Sequence, residues 1–320
     1  MIIDDMSCMT CHRLLKGGGN IFMDVNDILG NYETRYFGAG HKHTTYAIAD
    51  VKKNTKGNYV ALASLDFNTD QWSTKNGIQQ VAHVSTIDAI TLSCLLIEKV
   101  ITSLNLDNYF IQKFDFKAGR SAIEDIKNID MEVMNLIIDE PTISFKTILE
   151  GMKVSIVLKK SETYKQNNSD FTNSASFLNN HLKDTHLDIN EINYLGDSGL
   201  SASVNRKRKP QATYHGLGSC LQDHLSLLEW LIVFSQIGEI MAYNYDHISR
   251  QYSNNLWMKH VTATFNEKAT LSYPIKTISE ITKASIIKMK GNSWRILKEK
   301  GSDINNEVFF EAKITHQLPQ

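Results

Sequence analysis

The chain has 320 residues, enough for two units of ordinary domain size. With 42% apolar and 22% charged residues it can bury a real core, and a net charge of −1 argues against a dedicated nucleic-acid binder. The most apolar run, 225–242, is interrupted by Glu229, Gln236 and Glu239, so it reads as a buried helix and not a membrane span.

Residues 1–22 come first. Cys8-Met-Thr-Cys11-His12 has the spacing of c-type haem attachment, but no distal ligand or haem-burying helical core is evident behind it. Gly17-Gly18-Gly19 then sets the segment apart, and we take 1–22 as an N-terminal extension, ahead of a haem or zinc role. No basic-then-apolar leader is visible, and Cys94 lies inside a helical pattern, so reduced thiols and a cytoplasmic setting are expected.

A first unit, 23–160, carries alternating or β-branched runs that predict strands over 44–51, 58–67, 109–116, 132–138, 143–149 and 152–159. Between the second and third of these, 85–103 is apolar almost all round, which predicts a helix buried on most faces. Residues 161–186, rich in Asn and Ser and poor in pattern, read as a linker. The second unit, 187–320, repeats the plan with a helix over 223–245 and strands over 200–206, 256–265, 270–278, 284–289 and 308–315.

The two helices are copies. HVSTIDAITLSCLLIEKV from His83 and HLSLLEWLIVFSQIGEIM from His224 superpose without a gap, placing His on His, Ser85 on Ser226, Asp88 on Glu229 and Glu98 on Glu239. Residues 62–65 and 201–204 match upstream, and 109–116 matches 256–265 downstream. One long apolar helix wrapped by several antiparallel strands, twice over, predicts an α+β tandem (double) hotdog with two antiparallel sheets.

Each helix opens with the same chemistry. Ser85-Thr-Ile-Asp88 and Ser226-Leu-Leu-Glu229 both fit a capping box, a structural role of about 1 kcal/mol. His83 and His224 precede the caps, where a helix dipole and orphan N–H groups suit a developing oxyanion and an imidazole suits general-base work near neutrality. The candidate catalytic set is therefore His83, Asp88, Asp223, His224 and Glu229, the acids expected to stay ionised beside the dipole as hydrogen-bond acceptors. Asp223 has Ala82 at the matching place in the first unit. Ser85, Ser226 and Arg35, from RYFGAG, are candidate substrate contacts. Arg206-Lys207-Arg208-Lys209 reads as a solvated strand end, though it could grip phosphates or an acidic carrier face. His41-Lys42-His43 has metal-like spacing on a strand without a third ligand, and Trp257 and Met258 read as core. No Gly-rich phosphate loop, dinucleotide fingerprint or nucleophile elbow is present.

DVNDILGNYETRYFGAGHKH from Asp24, VAHVSTIDAITLSCLLIEKV and SNNLWMKHVTATF together resemble the avirulence D protein family of bacteria. The resemblance spans most of the chain from residue 24. It implies a double hotdog that helps make syringolides, acyl-sugar lactones built from a β-ketoacyl unit and a pentulose such as xylulose. Similar hotdog enzymes join a β-ketoacyl carrier-protein thioester to a three-carbon keto-phosphate. No catalytic set is carried over. The Ile87-Asp88-Ala89 run is similar to the acid-bearing helix of hotdog dehydratases, but their Gly/Pro-rich loop between His and acid is missing, which puts plain dehydration in doubt. The expectation is an acyltransferase or condensing enzyme with no cofactor, fed by a coenzyme A or acyl carrier protein thioester. It is expected to act as a monomer or homodimer, away from nucleic acid and membrane. The alternatives are a hotdog acyl-thioesterase or dehydratase, and a non-catalytic acyl-ligand binding module.

Overall fold

In the computed structural model each half runs strand, strand, helix and then four strands; residues 23–67, 71–162, 174–209, 213–221, 224–253, 255–267 and 272–319 are described. The first half opens with a short capped helix, α1 (Val25–Leu29), and the strands β1 (Thr45–Lys53) and β2 (Tyr59–Asp66). A small ribbon, β3 (Thr74–Lys75) with β4 (Ile78–Gln79), leads to the long helix α2 (Thr86–Val100). Then come β5 (Tyr109–Lys117), β6 (Ile129–Asp139), β7 (Thr142–Leu149) and β8 (Met152–Lys160). The second half opens with β9 (Ala175–Ser176), α3 (Phe177–Asn180), β10 (Thr185–Leu195), β11 (Gly199–Arg208) and β12 (Tyr214–His215). The helix α4 (Leu227–Tyr245) and β13 (Trp257–Phe265), β14 (Ile275–Met289), β15 (Asn292–Asp303) and β16 (Val308–Gln317) complete it.

The sheet corrects one expectation. Instead of two sheets there is a single 12-stranded sheet in the order β1-β2-β6-β7-β8-β5-β13-β16-β15-β14-β11-β10. Read from either end, the order is the same under exchange of β1 with β10, β2 with β11, β5 with β13 and so on, which is the duplication in three dimensions. The halves are fused where β5 and β13 pair antiparallel, from Lys117 opposite His260 to Lys113 opposite Thr264. Each repeat thus hides the sheet edge that a lone unit would leave open.

Both long helices start as the spacing predicts. Ser85 Oγ accepts from the Asp88 N–H at 3.2 Å while Asp88 Oδ2 accepts from the Ser85 N–H at 2.8 Å. Ser226 and Glu229 repeat this at 3.2 and 2.7 Å. Such reciprocal caps satisfy donors that the first helical turn cannot. From Thr86 to Ile97 every residue of α2 is buried, and α4 is buried through Gly238. An all-round apolar helix is stable here because the sheet covers one face and the other helix-bearing segments cover the rest.

Three other expectations shift. The second unit's elements begin before 187, since β9, α3 and the start of β10 fall in the segment taken as linker. Of the strands expected over 270–278 and 284–289, residues 275–278 and 284–289 belong to one long strand, β14, and β10 and β15 were not predicted at all. His41 and His43 lie on a 3-10 turn, Gly40–His43, and not on a strand. The extension 1–22, with Cys8 and Cys11, lies outside the described residues, as does Asp223. No helix among the described residues is long and apolar enough to cross a membrane.

The C-terminal part of α2 ties the halves together and should make stability pH-dependent. Glu98 accepts from the Leu217 N–H at 2.6 Å, and burial first, with Asp107 adding to it, pushes its pKa up to about 7. A raised folded pKa means full stability from this group below its unfolded value near 4.5, lost as pH rises through about 7. Thermal unfolding at pH 5 and pH 8 is expected to show a loss of about 3 kcal/mol at the higher pH from this group. Glu98→Gln should remove that dependence; an unchanged profile in the variant would sink the assignment.

Candidate active site

A cavity of about 840 Å³ opens between the halves. That is the size of a small-molecule site. Its walls come from the N-terminus of α2 (His83, Val84, Ser85, Thr86), the inner part of α4 (Phe234, Ser235, Gly238, Glu239), and β13, β15 and β16. Trp257 and Met258, expected to be core, stand on this wall with Trp72, Trp294 and Phe310.

His83 is the sequence-predicted histidine that reaches the cavity. Its ring sits between Trp257 and Trp72, with centroids 5.3 and 5.6 Å away. Nδ1 lies 3.0 Å from the Val81 carbonyl oxygen, which can only accept. Nδ1 therefore carries the proton, and Nε2 keeps the lone pair that a general base needs. The orienting partner is this carbonyl and not Asp88.

Asp88 is fully buried behind the helix start. Its Oδ1 accepts from the Tyr46 hydroxyl at 2.9 Å, and Oδ2 accepts from the Ser85 N–H and, at 3.2 Å, from the Tyr36 hydroxyl. Burial pushes its pKa up despite these hydrogen bonds, contrary to the expectation that the dipole alone would hold it low. Tyr36 also reaches Ser85 Oγ at 2.5 Å, so the acid, the cap and the tyrosine form one rigid corner at the cavity edge.

The second copy of the motif is built differently. His224 is buried against Phe265, with ring centroids 6.1 Å apart, and does not line the cavity. Ser226 Oγ lies 3.2 Å from His181 Nε2, mirroring Tyr36 on Ser85. Glu229, fully buried, forms an ion pair with Arg208 Nη2 at 2.9 Å. Burial alone would raise its pKa, but Arg208, then His181 and Arg206, outweigh it and hold the carboxyl below its ordinary range. The space beside Glu229 is about 10 Å³, room for one water at most. Arg206 also turns inward, its Nη1 donating to the His224 carbonyl at 2.6 Å, while Lys207 pairs with Asp188 at 2.8 Å. The basic run is thus an alternating strand end, with Arg206 and Arg208 in and Lys207 and Lys209 out, and not a uniformly solvated one.

Arg35 is the largest surprise. It is only 2% exposed, and it donates to Gln236 Oε1 at 2.7 Å and Asn26 Oδ1 at 2.6 Å. It lines the cavity with Lys75, Glu239 and Arg250, of which sequence reasoning named none as a site residue. Glu299, on β15, was missed with its strand. It is buried on the cavity wall, its Oε1 has no hydrogen-bond partner among the described residues, and burial drives its pKa well above the carboxylate range. Burial therefore favours its protonated form, which could donate. A Cβ at Gly238 would meet its Oε2 at 2.5 Å, so the glycine is what lets it lie against α4. No cluster of His, Cys, Asp or Glu among the described residues has the arrangement of a metal site.

A profile of the Pseudomonas avirulence D protein (AvrD) family matches residues 20–319. The chain belongs to this family. No curated protein sequence matches it. Among solved structures, this chain is similar to a TesB protein of Mycobacterium avium subsp. paratuberculosis, at 8% identity over 84% of this chain and 96% of that one, with TM-score 0.44. It is also similar to an acyl-CoA thioesterase II of Mycobacterium marinum, at 8% identity over 85% and 96%, with TM-score 0.44. A third is the dehydratase domain from the CurJ module of curacin polyketide synthase, at 11% identity over 84% and 95%, with TM-score 0.37.

Proposed function

We propose that this protein transfers a β-ketoacyl group from a thioester to a hydroxyl of a small keto-sugar, as the family's link to acyl-sugar lactones suggests. The observation that carries the reading is the placement of His83. It stands with a free Nε2 lone pair beside the N-terminus of α2, on an 840 Å³ cavity with long apolar walls.

The acyl chain lies along Phe116, Met152, Met258 and Ile314, apolar surface worth roughly 25 cal/mol per Å² covered. Nε2 of His83 takes the proton of the ketose hydroxyl as its oxygen attacks the thioester carbonyl. The α2 N-terminus, where Thr86 opens the helix, stabilises the tetrahedral oxyanion. The C–S bond then breaks, and the imidazolium returns its proton to the leaving thiolate. Glu299, whose protonated form burial favours, donates to the β-keto oxygen. The half around His224 and Glu229 is assigned to structure.

The test is a medium-chain β-ketoacyl thioester, presented on coenzyme A and on a carrier protein, incubated with and without xylulose, with thiol release and product masses followed. Release that requires the ketose, with an acyl-sugar mass appearing, is the expected outcome. Release without the ketose would mean a thioesterase, and no release from either thioester would end the catalytic reading.

A further inference from the structure

Cations crowd this cavity. Six Lys and Arg side chains line it against two Glu, so its lining carries an excess of positive charge in a chain of net charge −1. The excess divides by exposure. Arg120, Lys259 and Lys313 are exposed, whereas Arg35 is buried and Lys75 and Arg250 are largely covered.

The three inner cations share one carboxylate. Arg250 Nε binds Glu239 Oε1 at 3.2 Å, with side chains 12% and 16% exposed, and its Nη1 and Nη2 each donate to the Thr74 carbonyl oxygen at 3.2 Å. Lys75 Nζ donates to the Tyr243 hydroxyl at 3.2 Å and to Ser253 Oγ at 3.0 Å. Arg35 is met by the neutral amides of Gln236 and Asn26, and its buried Nε has no hydrogen-bond partner among the described residues. A buried guanidinium whose direct hydrogen bonds go only to neutral amides, with Glu239 acting at longer range and one donor idle, is a costly arrangement unless an anion arrives. Guanidinium and ammonium donors converging in a covered cavity are what phosphoryl recognition uses.

We propose that Arg35, Lys75 and Arg250 form a phosphoryl-binding subsite at the inner end of the cavity. Glu239 orients Arg250, and the amides of Gln236 and Asn26 orient Arg35. The phosphoryl group has two sources, the acceptor sugar or the coenzyme A or pantetheine arm of the thioester. Taking the acceptor to be a ketose phosphate rests on the acyl-transfer reading; the subsite itself does not.

The same groups set its pH dependence. Burial first, and Arg250 after it, pull the Lys75 pKa down to about 8 against the pull of Glu239. Burial likewise lowers Arg35, to about 10. The groups facing Lys75 are Glu239 and Tyr243 from α4 and Arg250 and Ser253 from the turn after it, while Arg35 feels the same Glu239 and Arg250. A sugar phosphate is already a dianion above about pH 7. Affinity lost between pH 7 and pH 9 therefore reports the lysine.

The experiment is calorimetric binding of xylulose 5-phosphate, xylulose and coenzyme A to the full chain, with no second substrate. At least one phosphoryl ligand is expected to bind about tenfold or more tighter than free xylulose, with affinity falling about tenfold from pH 7 to pH 9. Lys75→Gln and Arg35→Gln are each expected to weaken it by about tenfold. Arg35 is buried, so its variant counts only if its melting temperature without ligand matches the wild type; Lys75→Gln stands independently. Binding of the sugar phosphate assigns the group to the acceptor, and binding of coenzyme A alone assigns it to the thioester. Equal affinity for xylulose and both phosphoryl ligands, or affinity indifferent to Lys75→Gln, overturns the subsite. Phosphoryl binding without acyl transfer would remove the proposed reaction and leave the subsite standing.

Discussion

His83→Ala is expected to lower ketose-dependent thiol release by about 10²–10⁴-fold, the span of a lost general base. The loss should fall on turnover, because the apolar cavity wall and the inner cations remain in place. Its side chain is part-exposed on the cavity wall, so the stability change should be small. His224→Ala is the control built into the duplication. That ring is buried against Phe265, and removing it should destabilise the chain by about 1–3 kcal/mol while leaving turnover of the folded protein unchanged. Denaturant melts alongside progress curves separate the two effects. The reverse pattern, a stable His224→Ala with no turnover and an active His83→Ala, would move the chemistry to the second half.

The asymmetry behind this prediction was only half legible in the sequence. The duplicated motif was readable because a capping box is local: four residues at fixed spacing specify the helix start wherever they occur. The core strands were readable where period-2 alternation ran unbroken, as in β7 and β8. β10 escaped because its register shifts between Asn190 and Asn193, next to Glu191 at φ 50°, and the bulge breaks the alternation. β15 escaped because buried Glu299 and Gly301 stand where an apolar pattern would put large side chains. Gly301 is needed there, since a Cβ would come within 2.5 Å of the Phe234 ring. The fusion of the sheets at β5 and β13, and the meeting of Arg35 with Gln236 across 201 residues, depend on contacts that no local window contains. That is why Lys75 and Arg250 were invisible to motif reading, and Arg35 was named without its partners, while the histidine was not.

Arg208→Ala is expected to cost about 3–5 kcal/mol, the cost of stranding a buried charge. Glu229 has no exposure at all, and Arg208 is the strongest of the groups that keep it ionised. In the wild type its depressed pKa means stability present above the unfolded value and lost as pH falls through the folded one. Without the guanidinium, burial dominates and the sign reverses: the variant should become less stable as pH rises from 5 to 8. Glu229→Gln in the same chain removes the stranded charge while keeping an acceptor for the Ser226 N–H, so the double variant should recover much of the loss and become flat in pH. Urea titrations of the four proteins at both pH values give the coupling directly. Additive losses would mean that the pair is held apart in solution and that the α4 start depends on its capping box alone. A coupled result would instead mark Arg208–Glu229 as the second half's replacement for the Tyr36–Asp88–Tyr46 corner. The same duplicated position would then carry a charge pair where the core is closed and a hydroxyl cluster where it opens on the cavity.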